Sequence, residues 1–120
     1  MSTESKLLSI LRKIIDDVNS DYVIKKILPS EPLVIKLQPT DDKPAYVEIS
    51  ENGLRIMDNF DGQPDSIIIG SSENLAQLLE GKLDPVKAFF LGRVKVEGSL
   101  DIAYMLHERL KDYHRRTRKS

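Results

Sequence analysis

The sequence predicts an α+β fold: a two-layer domain in which a five-stranded, mostly antiparallel sheet is covered by helices. Three observations indicate this class. Apolar residues recur at helical spacing near both ends of the chain. Short alternating segments separated by turn residues occupy the middle. The length of 120 residues fits one hydrophobic core. We therefore expect helices from both ends of the chain to pack on a central sheet.

The helices at the two ends are predicted from periodicity and capping residues. Apolar side chains recur every three or four residues from Leu7 to Val18, and charged residues fill the opposite face. Asn19, Ser20 and Asp21 interrupt this helix, and a second short helix is predicted over residues 22–28, before a proline. Ser99 is the predicted N-cap of the last helix.

The middle of the chain alternates apolar and polar residues, which is typical of strands with one buried face. Five strands are predicted, over residues 33–37, 45–50, 54–57, 66–70 and 93–97. Asn52-Gly53 predicts a type I′ hairpin turn between the second and third strands, because both central residues of that turn need positive φ. We expect the first four strands to form a meander-like block. A helix capped by Ser71 or Ser72 precedes the fifth strand.

Residues 83–98 contain the clearest local signals. Asp84 is a predicted N-cap, and Pro85 fits the first helical position, where no N–H donor is needed. Gly92 can adopt the left-handed conformation that ends a helix, and an alternating strand follows at once. We expect a short helix that leads directly into a strand, with its two phenylalanine rings against the end of the sheet.

Composition excludes several classes of function. The chain has no cysteine, so disulfides, thiol nucleophiles and thiolate metal sites are ruled out. It has no phosphate-binding glycine motif and no Ser-His-Asp pattern, and we expect no enzyme activity, cofactor or metal. His107 and His114 lie two helical turns apart and are interpreted as surface residues. No apolar run reaches the roughly 18 residues of a membrane span, and no signal-peptide core is evident, so we expect a cytoplasmic protein.

Charge is unevenly distributed along the chain. The net charge is -1, but residues 109–120 contain six basic residues and one acidic residue, a net charge of +5. We therefore predict a domain over residues 1–113 and a basic tail over residues 114–120. The tail is either a solvated helix end or a contact for anionic lipid headgroups. No specific nucleic-acid partner is expected, because the tail is poor in aromatic residues and the body is acidic. The predicted headgroup contacts are Arg115, Arg116, Arg118 and Lys119.

The last helix is more apolar than one buried stripe requires. From Leu100 to Leu106, every residue except Asp101 is apolar or aromatic. The residues outside the buried stripe need a second partner. A packed helix, a second copy of the chain and a bound lipid chain are the three alternatives.

One motif in the chain resembles a known family. It is Gly81-x-Leu83-x-Pro85-x-x-Ala88-Phe89-Phe90-x-Gly92, followed by Val94, Val96 and Gly98. It resembles the motif that joins the last helices to the last strand in the sterol carrier protein-2 family, and the order of elements over residues 5–112 is also similar. The resemblance implies a freestanding, non-catalytic domain with a hydrophobic tunnel. Such a tunnel accepts fatty acids, acyl-coenzyme A, phospholipids, or sterols and other isoprenoid lipids.

The resemblance and the apolar last helix together identify candidate ligand-binding residues. Each of them has an alternative role in packing the core. Met105 is notable because a flexible thioether can adapt to ligand chains of different shapes. The competing function is an interaction or oligomerisation module without a ligand tunnel, with the apolar last helix as the interface of a homodimer. The candidates are Leu11, Ile15, Phe89, Phe90, Leu100, Ala103, Tyr104, Met105 and Leu106.

Overall fold

The computed structural model describes residues 5–57 and 59–117. It contains a five-stranded mixed sheet with helices packed on it, which confirms the predicted α+β class. The helices are α1 (Lys6–Asn19), α2 (Tyr22–Lys25), α3 (Ser72–Leu79), α4 (Pro85–Phe90) and α5 (Leu100–Thr117). The strands are β1 (Leu33–Pro39), β2 (Ala45–Ser50), β3 (Gly53–Met57), β4 (Ser66–Gly70) and β5 (Val94–Gly98).

The sheet has the strand order β3-β2-β1-β4-β5. β1 and β4 are parallel, with Leu37 opposite Ile68, and the other neighbouring pairs are antiparallel. The mostly antiparallel sheet is therefore confirmed. The expected four-strand meander is wrong, because β4 joins β1 and not β3. Asp65 fixes this arrangement: its carboxylate accepts from the Val34 N–H at 2.8 Å, and its own N–H donates to the Val34 carbonyl at 2.8 Å.

The hairpin between β2 and β3 differs from the prediction. Ser50 pairs with Gly53, and Asn52 does not adopt positive φ, so the predicted type I′ turn is wrong. Gly53 alone takes positive φ, at 117°. The Asn19 side-chain amide donates to the Leu54 carbonyl at 2.9 Å and accepts from the Leu54 N–H at 2.8 Å. Because a Cβ on Gly53 would lie 2.1 Å from Asn19 Oδ1, the close approach of α1 also requires glycine.

The predicted helix caps are confirmed. The side chains of Ser71, Asp84 and Ser99 each accept a hydrogen bond from a backbone N–H in the first turn of α3, α4 and α5, respectively. Gly92 has a φ of 74° and directly follows the residue that caps the end of α4. The second helix is shorter than predicted, since it ends at Lys25 and a turn follows.

The core lies between the helices and one face of the sheet. α1 contributes its predicted apolar stripe, and β1, β2 and β4 contribute the inward-facing side chains. One buried aromatic residue, Tyr113, reaches this core from the last two turns of α5. The buried residues of α1 are Leu7, Leu11, Ile14, Ile15 and Val18.

The carboxyl-terminal half of α5 is anchored to the first two helices. The Tyr113 hydroxyl donates to Asp17 Oδ2 at 2.7 Å. The Arg116 guanidinium donates to both carboxylate oxygens of Asp21, at 2.6 and 3.0 Å. α5 continues through residue 113 to Thr117, and the predicted boundary between domain and tail stays a prediction. Arg118 and Lys119 lie outside the described residues.

These contacts shift the acid–base equilibria of the groups involved. The hydrogen bond from the Lys13 ammonium, followed by that from Tyr113, lowers the pKa of Asp17 below its ordinary value. The Arg116 guanidinium lowers the pKa of Asp21. Burial, and then the hydrogen bond to Asp17, raises the pKa of Tyr113 above its ordinary value. Folding therefore favours ionised aspartates and a neutral tyrosine at this anchor.

Replacing the anchoring tyrosine should give a pH-dependent loss of stability. Tyr113→Phe removes one hydrogen bond to a charged acceptor, so we expect unfolding free energy to fall by about 1.5 kcal/mol at neutral pH. The lowered aspartate pKa values contribute stability above about pH 4, which is lost as pH falls through the folded-state pKa values. The raised pKa of Tyr113 contributes stability below about pH 10, which is lost at higher pH.

Urea unfolding of the wild type and Tyr113→Phe across this pH range measures the effect. The difference between the two proteins should be largest between about pH 4 and pH 10 and should shrink on either side. A difference that is constant with pH would show that the phenylalanine changes packing alone.

Candidate functional site

An open pocket of about 530 Å³ lies between α3, the connection from α3 to α4, and one face of α5. Side chains of β1 and β4 also contribute to its lining. α5 and α3 are in contact at one end of the pocket, where His114 Nε2 lies 2.7 Å from the Leu79 carbonyl oxygen. The lining residues are Leu37, Ile68, Leu75, Leu78, Leu79, Gly81, Lys82, Leu83, Asp84, Pro85, Ala103, Leu106, His107, Leu110, Lys111 and His114.

The walls of the pocket are mainly aliphatic. α3 places Leu75 and Leu78 on one side because the two residues are three positions apart and share a helix face. α5 places Ala103, Leu106 and Leu110 on the other side with the same helical spacing. A surface of this kind can take up an apolar chain, whose transfer from water is favourable in proportion to the area buried.

The polar groups of the pocket include more cations than anions. Lys82 and Lys111 contribute ammonium groups, and Asp84 contributes the carboxylate among the lining residues. Both lysines have exposed side chains, and their nearest ion-pair contacts are 3.6 Å, to Glu80 and Glu108. Such long, exposed pairs leave the lysines free to exchange partners at little energetic cost. An anionic group placed at the pocket would be attracted by these cations.

Two small cavities lie deeper, between α5 and the sheet. Their volumes are about 30 and 40 Å³, and their walls are almost wholly apolar. Leu106 and Leu110 line both cavities and also the open pocket. These two side chains are therefore common to the walls of all three spaces.

The structure brings three of the predicted ligand-binding residues to these spaces. Ala103 and Leu106 line the pocket, and Leu11 lines the larger inner cavity together with Leu106. Ile15 is buried in the core, and Met105 is half-buried; neither lines the pocket or the two cavities. The role of all five residues in ligand binding stays a prediction.

The other four predicted residues are exposed. Phe89 and Phe90 are 42% and 80% exposed, and Leu100 and Tyr104 are exposed on the first turns of α5. None of them lines the pocket or the inner cavities. The expectation that both rings lie against the end of the sheet is wrong, because the fully buried Ala88 joins α4 to the core instead.

Several pocket residues were missed by the sequence analysis. The capped helix before the fifth strand was predicted, but nothing in the sequence indicates that its leucines lie opposite α5. His107 and His114 were interpreted as surface residues, whereas both line the pocket. The spacing of His107, Leu110 and His114, at steps of three and four residues, is the signal that places them on the same face of α5 as Ala103.

The two described cations of the predicted headgroup contact have intramolecular partners. Arg116 pairs with Asp21, and Arg115 pairs with Asp112. Within residues 5–57 and 59–117, no three potential metal ligands form a group. Among the helices of the same described parts, none is long and apolar enough to cross a bilayer.

Comparisons with known proteins identify the family. The model of the SCP-2 sterol transfer family matches residues 23–111. Peroxisomal multifunctional enzyme type 2 of Mus musculus is 46% identical over 52 residues, which are 43% of this chain and 7% of that protein. Sterol carrier protein 2 of Bos taurus is 29% identical over 97 residues, which are 80% of this chain and 18% of that protein. The chain thus spans less than one fifth of the length of either relative.

A solved structure shows the same fold. "UbiJ-SCP2 Ubiquinone synthesis protein" superposes with a TM-score of 0.70 at 12% sequence identity, over 94% of this chain and 97% of that chain. The superposition shows the fold, and the match of the family model over residues 23–111 confirms the resemblance found in the motif of residues 81–98. Since the family model covers well over half of the sequence, the chain belongs to the SCP-2 sterol transfer family.

Proposed function

We propose that this chain is a non-catalytic lipid carrier that holds the apolar part of its ligand between α3 and α5. One observation supports this most strongly: Leu106 and Leu110 line the open pocket and both apolar cavities, so the three spaces adjoin the same two side chains. Rotation of these two side chains would join the three spaces. The same side chains would then line a tunnel that leads from the surface into the domain.

The size of the pocket suits this role. A volume of about 530 Å³ lies within the range of ligand-binding pockets. Burial of about ten methylene groups at roughly 0.8 kcal/mol each would provide about 8 kcal/mol, which corresponds to micromolar affinity before ordering costs. Affinity of this order allows both capture and release, which a carrier needs.

The small inner cavities are consistent with a tunnel that opens around its ligand. An empty apolar cavity of about 300 Å³ would cost roughly 7 kcal/mol, comparable to the stability of a small domain. With the inner spaces at about 30 and 40 Å³, the fold avoids most of this cost. Ligand entry would supply the contacts that an open tunnel lacks.

The charge at the pocket favours a lipid with an anionic head. Lys82 and Lys111 would lie near the head of a ligand whose chain points toward Leu106. Fatty acids, acyl-coenzyme A and anionic phospholipids share this chemistry, whereas a sterol does not have it. The names of the similar proteins refer to sterol carriage and ubiquinone synthesis, so an isoprenoid lipid is the other class to be tested. The proposal places the carrier in the cytoplasm, in keeping with the absence of cysteine.

Filling the pocket should block ligand uptake. Ala103→Trp places a large side chain against Leu106, and we expect affinity for a fluorescent fatty acid to fall at least about tenfold. Displacement fluorescence in vesicle-free buffer measures the affinity, and circular dichroism checks that the fold is retained. Val23→Trp is the control, because Val23 is half-exposed on α2 and does not line the pocket. Wild-type affinity in a folded Ala103→Trp protein would exclude this binding site.

Reversing the charge at the pocket should discriminate between ligand heads. In the double variant Lys82→Glu and Lys111→Glu, we expect affinity for a fatty acid to fall about tenfold, because two attractive charges become repulsive. Affinity for the alcohol of the same chain length should change less than about twofold. Lys26→Glu with Lys43→Glu applies the same charge change away from the pocket. Equal losses of affinity for the fatty acid and the alcohol would contradict the proposed position of the ligand's anionic head beside Lys82 and Lys111.

A further inference from the structure

α4 and the residue after it present an exposed apolar patch beside the pocket. This α4 patch consists of Val86, Phe89, Phe90 and Leu91, which are 47%, 42%, 80% and 71% exposed. Phe90 and Leu91 are among the most exposed large apolar side chains of the described residues. Burial of this area in an apolar medium would be favourable.

The fold holds the patch in a defined position. Asp84 caps the start of α4, and the fully buried Ala88 fixes the helix against the core. The rings of Phe89 and Phe90 pack edge to face, with centroids 5.8 Å apart. The Ala88 carbonyl accepts from the Arg93 N–H at 2.8 Å, which ties the end of α4 to the start of β5. These contacts hold α4 against the core while the patch stays exposed.

Three cations lie close to the patch in sequence, and the exposed carboxylates Asp84 and Glu97 border the same segment. Residues 85–96 contain Lys87, Arg93 and Lys95 and no carboxylate, although the chain as a whole has a net charge of -1. All three side chains are exposed. They form no ion pair with any residue that the structure describes. Exposed apolar side chains that adjoin cations in the sequence match the acyl and headgroup regions of an anionic bilayer.

The patch is continuous with the entrance of the pocket. Asp84 and Pro85, at the start of α4, line the pocket. On α5, the exposed Tyr104 packs edge to face on His107, with centroids 5.8 Å apart, and His107 also lines the pocket. Leu100, one turn before Tyr104, is 58% exposed on the same helix face. Exposed apolar side chains from two helices therefore flank the pocket.

We propose that the α4 patch docks this domain on anionic lipid bilayers. Phe90 and Leu91 enter the interface, and Lys87, Arg93 and Lys95 contact the headgroups. The pocket then opens toward the membrane. This docking explains the exposed aromatic residues independently of any ligand, but the passage of lipid from bilayer to pocket rests on the proposed function.

A single tryptophan tests the docking directly. The chain contains no tryptophan, so Phe90→Trp introduces one reporter at the patch. Tyr22→Trp is the matched control, because Tyr22 is 72% exposed on α2, on the side of the domain where Arg116 lies. With vesicles of phosphatidylcholine and phosphatidylserine, we expect a blue shift of emission for Phe90→Trp and none for Tyr22→Trp. The shift should weaken with added salt and with phosphatidylcholine alone.

A charge substitution tests how much the patch contributes. In vesicle co-sedimentation, Phe90→Glu should weaken binding about tenfold or more, because it removes an inserted ring and adds a repelled charge. Tyr22→Glu makes the same change in charge and should bind as the wild type. Equal losses in the two variants, or a blue shift only for Tyr22→Trp, would overturn the inference. Either result would favour docking through the side of the domain that carries Tyr22 and Arg116.

Two further outcomes separate this inference from its alternatives. A vesicle-independent dimer in sedimentation velocity that Phe90→Glu dissociates would overturn it, since the occupant of the patch would then be a second copy of the chain. Fatty-acid binding in vesicle-free buffer reports on the proposed function alone. If the tryptophan of Phe90→Trp inserts into vesicles but the protein binds no fatty acid, the docking is supported and the proposed carrier function is refuted. If the protein binds fatty acid but the tryptophan does not insert, only the docking is refuted.

Discussion

The hydrogen bond from the Tyr113 hydroxyl to the Asp17 carboxylate, together with the Arg116–Asp21 pair, determines where α5 lies above the sheet. Both contacts join residues that are far apart in sequence, and both are in the last turns of the helix. At its other end, α5 begins at Ser99, whose N–H donates to the Asp65 carbonyl at 2.9 Å. Between these ends, the helix is free to leave space above β1 and β4. The pocket, the inner cavities and the position of Leu106 all depend on this arrangement.

The arrangement gives the two ends of the domain different properties. At the carboxyl-terminal end of α5, charged side chains are paired within the protein, and the basic residues Arg115 and Arg116 are bound to aspartates. At the other end, near α4, apolar side chains are exposed and the nearby cations are free of ion pairs to described residues. The pocket lies between α3 and α5 and reaches toward the second end. Lipid capture in the pocket and docking through α4 would therefore use one continuous surface.

Local signals in the sequence predicted the elements well. Caps such as Asp84 and Ser99 act within one turn of the backbone, so the residue and its effect are visible together. The order of strands was not predicted correctly, because β4 pairs in parallel with β1, which is distant in sequence, and no local signal shows this pairing. The hairpin between β2 and β3 was predicted, but its turn type was not, because Ser50 pairs with Gly53 and the turn therefore lies at Glu51 and Asn52. The candidate site was found in part: Ala103 and Leu106 lie on the predicted apolar helix, but the sequence could not show which of its faces meets α3.

Nuclear Overhauser effects between a bound fatty acid and the methyl groups of the protein test the central claim most directly. Methyl-labelled protein in vesicle-free buffer would be titrated with a protonated fatty acid. The account expects contacts from the acyl chain to the methyl groups of Leu106, Leu110 and Ile68. Contacts confined to Val86, Leu91 and Leu100, with none inside the pocket, would contradict it.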